Sequence, residues 1–266
     1  MTKQEQFILE HKKFHRSITL SQIVLFIGFL AIWELSALLG WIDSFFFCSP
    51  SIVIGCFFRM LLGEKLLLHL AFSVLEIAVS FLLILVLSFI SAVCLWYFPK
   101  LSRICEPFLV VLNALPKSAL APLFIVWIGT GTKTIIVAGI SVAIFGSIIN
   151  LYSSFKETDA EKILLIQTLG GTKIDILTKV VLPSSVPSMI SLMKVNIGLA
   201  LVGVIIGEFF AGRKGLGYLI IYGTQVFKLD MVLTSIIILC VLAMLLYNVI
   251  QIVEHKYLKL LDKVKY

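Results

Sequence analysis

Five ionisable side chains interrupt long apolar runs: Glu34, Glu76, Lys117, Lys194 and Glu208. A charge at membrane depth is costly and normally faces a bundle interior or a water-filled space. These residues are therefore where a hydrophobic chain could handle something polar. Two readings stay open for each: snorkelling or pairing near a span end, or a place on a polar path. Glu76 and Glu208 are expected towards the outer ends of their spans, as candidates for an outer vestibule. Asn113, Asn150 and Asn196 could line the same path or bond helix to helix. Covalent chemistry is not indicated. His11, His15, His69 and His255 have no ligand spacing, and no Ser-His-Asp or Cys-His set can be assembled. Cys48, Cys56, Cys94, Cys105 and Cys240 show neither metal nor redox spacing. A GxxxxGK[ST] phosphate loop is absent from the sequence. The expectation is a chain without catalytic residues, metal ligands or a cofactor of its own.

A second pattern is a polar island, KETDAEKILLIQTLGGTKIDILTKVVLPSSVPS at 156–188, between two apolar spans. Thr158 or Asp159 can cap a helix running to about Leu169, and Asp159 and Glu161 suit its positive end. Ile163, Leu164, Leu165, Ile166 and Leu169 give that helix a broad apolar surface. Gly170-Gly171 should close it, since glycine takes the left-handed conformation freely. A second amphipathic helix follows, and Leu182-Pro183 is expected to stop it. Such a hairpin could pack on its own bundle as a re-entrant element. It could also present an apolar tip to a groove in a soluble partner.

The elements that carry these residues follow from composition. The 266 residues are 60% hydrophobic and 14% charged, against about 45–50% and about 25% in soluble domains. A bilayer is the solvent that fits. Six candidate spans lie near 18–40, 70–98, 104–128, 133–152, 188–211 and 229–252, each near the roughly 20 residues a crossing needs. The fold class is therefore all-α and polytopic. Residues 1–17 form an N-terminal tail, 18–64 a first span with an interfacial helix, 65–252 the core and 253–266 a C-terminal tail. The tail lacks signal-peptide features, so the first span is expected to stay as an anchor. SPSIVIGCFFRML (49–61) is too short to cross and begins with Ser49-Pro50, a good helix start. Pro116 and Pro122 interrupt the third span, either as a plain kink or as a broken helix beside protein or water. With the N-terminus inside, fourteen Lys and Arg lie on the cytoplasmic side against six outside. That places both termini and the 156–188 loop in the cytoplasm. The net charge of +7 follows from these flanking residues. With no basic stripe carrying interleaved aromatics, nucleic acid is not an expected partner.

At the hairpin the chain resembles the transmembrane subunit of a binding-protein-dependent ABC importer. That family carries Glu-Ala-Ala, three residues, Gly, nine residues, Ile, one residue, Leu-Pro. Aligned on Gly170, Val180 stands at the Ile position and Leu182-Pro183 at Leu-Pro, while Leu164, Leu165 and Ile166 replace Glu-Ala-Ala. LPKSALAPLFIVWIGTGTKTII (115–136) and GLALVGVIIGEFFAGRKGLGYLI (198–220) are similar to the nitrate, sulfonate and taurine branch. The resemblance implies a type I importer permease fold in a bacterial plasma membrane, with two copies forming a pore. It implies two cytoplasmic ABC ATPase subunits gripping the 160–171 helices and using ATP, and an extracytoplasmic solute-binding protein. It also implies a solute such as nitrate, a sulfonate, taurine, a thiamine pyrimidine or riboflavin.

Overall fold

A computed structural model describes residues 3–63 and 65–264. Every regular element among them is helical: α1 Lys3–Leu38, α2 Ser44–Phe47, α3 Pro50–Gly63, α4 Leu66–Tyr97, α5 Pro99–Ala114, α6 Lys117–Ile128, α7 Thr132–Lys156, α8 Ala160–Thr168, α9 Lys173–Ile176, a π turn Leu177–Val181, α10 Leu182–Ala211, α11 Leu216–Gln225 and α12 Leu229–Val264. Among the described residues five stretches are long and apolar enough to cross a bilayer, Arg16–Leu38, Leu66–Tyr97, Thr132–Lys156, Lys173–Ala211 and Leu229–Tyr257, and α5 with α6 make a sixth if that bent pair is one span. The helices cluster into two units, Met1–Glu64 with Gly223–Thr234, and Lys65–Tyr222 with Ser235–Tyr266.

In the first unit, the Trp33 indole donates to the Cys48 carbonyl at 3.0 Å. Glu34 accepts from the Ser51 amide at 3.1 Å and hydroxyl at 2.7 Å. Its carboxylate is thus used locally, at the start of α3. That helix opens with Pro50 at its first position, as Ser49-Pro50 predicts, and its 14 residues reach only about 21 Å. Arg59 pairs with Asp230 at 2.6 Å. The Cys48 and Cys56 thiols are buried, and burial pushes both above the ordinary thiol range. They stay protonated and poor as nucleophiles.

In the second unit α7 packs against both α4 and α10, which also touch each other. The sequence reason is a set of small residues. A Cβ added to Gly203 would meet Gly139 Cα at 2.8 Å and the Ala138 carbonyl at 2.9 Å. One added to Gly207 would meet Ile135 Cα at 2.8 Å, and one on Gly139 the Ser80 hydroxyl at 2.6 Å. Only glycine permits backbones this close, which is how helices associate where lipid is as apolar as leucine.

Two expectations change. The segment 104–128 is not one straight span: α5 and α6 meet at 98°. Pro116 removes a donor at the corner, and the Lys117 ammonium bonds the carbonyls of Leu112 at 2.7 Å and Asn113 at 2.6 Å. Lys117 is thus a backbone partner within the break, and it lies 5.9 Å from the Phe145 ring centroid. Pro122 sits inside α6 without breaking it. Nor does Leu182-Pro183 stop the second hairpin helix, because Lys173–Ala211 runs on as 39 residues, about 58 Å of helix. The π turn absorbs the proline: the Leu182 amide bonds the Leu177 carbonyl, one residue further back than in an α-helix.

The close crossing makes a direct prediction. Gly203→Val should push α7 and α10 apart and cost about 1–3 kcal/mol, seen as a lower melting temperature in detergent. Gly198→Ala, with no atom within 4 Å of the added carbon, should leave the melting temperature equal or higher.

Candidate functional site

The hairpin is built from local rules. Asp159 caps α8 by accepting from the Glu161 amide at 2.9 Å. The helix closes in a Schellman arrangement, with the Gly170 amide on the Gln167 carbonyl at 3.0 Å and the Gly171 amide on the Ile166 carbonyl at 2.9 Å. Gly170 has φ +78°. A Cβ on Gly171 would meet the Ile166 carbonyl oxygen at 2.8 Å. Both glycines are therefore required, each for its own reason. Thr172 then opens α9 through a reciprocal cap. Asp175 accepts from the Thr172 amide at 2.9 Å, and the Thr172 hydroxyl accepts from the Asp175 amide at 3.3 Å. This cap was missed in the sequence, although Thr-x-x-Asp is close to its usual signature. Lys179 pairs with Asp175 at 2.7 Å.

The hairpin presents two faces. Ile163, Ile166 and Leu182 pack against a buried cluster of Ala92, Leu151, Phe155, Ile176, Leu177 and Val181. Lys173 donates to the Tyr97 carbonyl at the end of α4 and lies 4.9 Å from the Tyr97 ring centroid. These contacts seat the hairpin on the bundle. Its other face remains open: Leu164 is 59% exposed, Leu165 58% and Leu169 75%. The reading of a hairpin packed on its own bundle thus holds for one face of α8, and the other face is left uncovered.

The residues considered for a polar path fall in separate places. Glu208 is fully buried near the far end of α10. It accepts from the Ser73 hydroxyl at 2.6 Å and from the Gly217 amide at 2.5 Å. Ser73 in turn accepts from the Leu216 amide at 2.8 Å. Gly215 has φ +111°, and a Cβ there would collide with the Glu208 carboxylate. The Gly-Leu-Gly-Tyr segment is therefore a turn wrapped around one carboxylate. Glu76 is also buried, beside Thr132 and Glu208. Its Oε2 has no hydrogen-bond partner among the described residues. Asn196 accepts from the Ser147 hydroxyl at 2.7 Å, and this buried bond ties α10 to α7. It stands about 18 Å back along the helix from Glu208. Asn113 is exposed on α5. Lys194 pairs with Glu254. Sequence reasoning missed the Ser73–Glu208 bond because its partners are 135 residues apart.

Residues 84–259 match the family described as binding-protein-dependent transport system inner membrane component. A Haemophilus influenzae protein described as an ABC transporter permease is 29% identical over 242 residues, covering 91% of this chain and 98% of that protein. A formylaminopyrimidine transport permease protein of Halalkalibacterium halodurans is 27% identical over 202 residues, covering 75% and 79%. A chain of the MetNI methionine ABC transporter, in an inward-facing conformation, shares the fold. Its TM-score is 0.61 at 18% identity, over 72% of this chain and 96% of that one.

The Glu208 turn is testable by stability. Glu208→Leu strands the Ser73 hydroxyl and the Gly217 amide and should cost about 1–3 kcal/mol, read as detergent melting. Glu208→Gln keeps an acceptor oxygen in the same place and should cost less. Equal losses in the two variants would contradict the hydrogen-bonded role.

Proposed function

The chain belongs to the binding-protein-dependent transport system inner membrane component family and is a permease subunit of an ABC importer; on that premise we propose that α8 is the element through which it is driven. The observation that carries the reading is the outward face of Leu164, Leu165 and Leu169, 58–75% exposed on a helix whose other face is anchored. A cluster of exposed apolar side chains on an anchored helix marks a surface for a partner to cover. A cytoplasmic ABC ATPase, one per copy of the chain in a two-copy assembly, is that cover. Closure of the two ATPases around ATP would then shift α8. The movement would pass along α7 and the Lys173–Ala211 helix, which enter and leave the hairpin. The excess of Lys and Arg supports a cytoplasmic hairpin and cytoplasmic termini. A binding protein would deliver solute to the opposite face.

The solute we propose is a small anion such as a sulfonate, taurine or nitrate, or a vitamin precursor such as a thiamine pyrimidine or riboflavin. The relative named for formylaminopyrimidine supports the precursor class. Glu76, Asn113, Asn196 and Glu208 remain the residues proposed for the path or its supports. Asn196 and Glu208 would act by holding helices and turns in place, given the bonds they already make.

Two measurements test the coupling. The double variant Leu165→Asp with Leu169→Asp touches only exposed positions, so the permease should still fold. The ATPase should co-purify at least about tenfold more weakly, because two leucines lose about 1.5–3 kcal/mol each of burial. Undiminished retention would remove the docking assignment. In a cysteine-free background expressed without the ATPase, Leu169→Cys should react with a membrane-impermeant maleimide only in inside-out vesicles. Reaction from the outer side would invert the topology and exclude an ATPase.

A further inference from the structure

The face of the bundle opposite the hairpin holds a cavity of about 350 Å³ between α4, the start of α7 and the loop after α10. Its walls include Phe72, Glu76, Thr130, Thr132, Arg213 and Lys214. Three features point to a ligand. Glu76 is 1% exposed beside Thr132 and Glu208, and its Oε2 has no hydrogen-bond partner among the described residues. A buried acceptor left unbonded is costly, so it calls for a hydrogen-bond donor. The cavity also meets the N-terminus of a 25-residue helix whose N-cap, Gly131, supplies no side-chain bond. Its first-turn amides and positive dipole end favour a negative group. Finally, Arg213 and Lys214 are exposed at the rim. Lys214 stands 4.5 Å from the Phe72 ring centroid, and neither cation belongs to an ion pair among the described residues. On the topology proposed above this is the outer face, where loops are normally poor in Lys and Arg.

A plain anion would satisfy the rim but set its charge against Glu76. A plain cation would satisfy Glu76 but meet two positive side chains. A ligand carrying both kinds of group satisfies all three. We propose that this cavity is a solute subsite on the permease itself. It would take a small dipolar molecule, with its N–H or ammonium end on Glu76 and its acidic end between Arg213, Lys214 and the α7 N-terminus. The assignment rests on the importer reading for its sidedness. It deepens that reading by giving the chain a recognition role beside that of the binding protein. An acidic rim on the binding protein could use the same two cations. The cavity volume and the buried Glu76 carboxylate in its wall favour a small molecule.

The test uses the permease–ATPase complex in lipid nanodiscs, without binding protein, and equilibrium dialysis of three radiolabelled probes: 3-aminopropanesulfonate, propanesulfonate and propylamine. Saturable binding of the first is expected, at least about tenfold tighter than either of the others. Arg213→Ala with Lys214→Ala should weaken it at least about tenfold. Glu76→Leu should reduce it to the level of propanesulfonate. If Glu76→Leu fails to assemble with the ATPase, the exposed double variant and the probe comparison still decide. The proposal is overturned if none of the probes binds saturably, if all three bind alike, or if the double variant binds them unchanged. It is also overturned if that variant impairs only docking of the binding protein. A complex that retains its ATPase and imports solute, yet binds no probe, sinks the subsite and leaves the importer reading standing. Loss of the ATPase from the unaltered chain would sink the importer reading itself.

Discussion

The structure depends on the close passage of α10 across α7. Inside a bilayer no hydrophobic gain separates helix from lipid, so attraction must come from backbones near enough for dispersion and weak polar contacts. Gly139, Gly203 and Gly207 make that approach possible, and added carbons would stand under 3 Å from neighbouring atoms. The buried bond from Ser147 to Asn196 fixes the register of the same pair. Because both helices are long, one contact zone orients two distant ends. At one end α7 leads into α8 and α10 returns from the hairpin. At the other, α7 begins beside Glu76 and α10 ends with Glu208 inside its turn.

Each end then uses charge in a way its environment permits. Around the hairpin, Asp159, Asp175 and Lys179 serve as caps and local pairs. At the opposite end Glu208 is buried, and it is tolerable there because hydroxyl and amide donors meet it directly. At the corner between α5 and α6 the Lys117 ammonium occupies carbonyls that the proline break left open. Polar side chains in this chain mostly serve the backbone; among the described residues Glu76 Oε2 and Ser235 Oγ are buried without a hydrogen-bond partner.

Much of this was legible in the residue order. Hydropathy located the crossings because bilayer thickness fixes their length. The cap at Asp159, the glycine closure and the short α3 followed from local rules that need no distant partner. What escaped reading was non-local or depended on competition between rules. Pro116 announced a disturbance, but neither the 98° corner nor the Lys117 bonds to the Leu112 and Asn113 carbonyls could be read from it. Pro183 looked like a terminator, since a proline usually breaks the ladder. A wider turn just ahead of it lets the helix continue. Glu208 could be noted as an acid in an apolar run, yet Ser73 lay far away in sequence. The split of α8 into a seated and an open face could not be assigned, because every apolar residue of that helix reads alike in one dimension.

The π turn at Leu177–Val181 has a consequence for how this chain can vary over time. It holds one residue more than a regular turn would, and each helical residue rotates the chain by about 100°. Ile176 just before it and Leu177, Val180 and Val181 within it are buried, as are Ser185, Ile190 and Asn196 beyond it. Both sets face inward only while the surplus residue is present. A single-codon deletion there would restore a tidy ladder and swing the buried stripe of the following helix towards lipid. Exchanges of one amino acid for another should accumulate in this stretch much more readily than changes in its length.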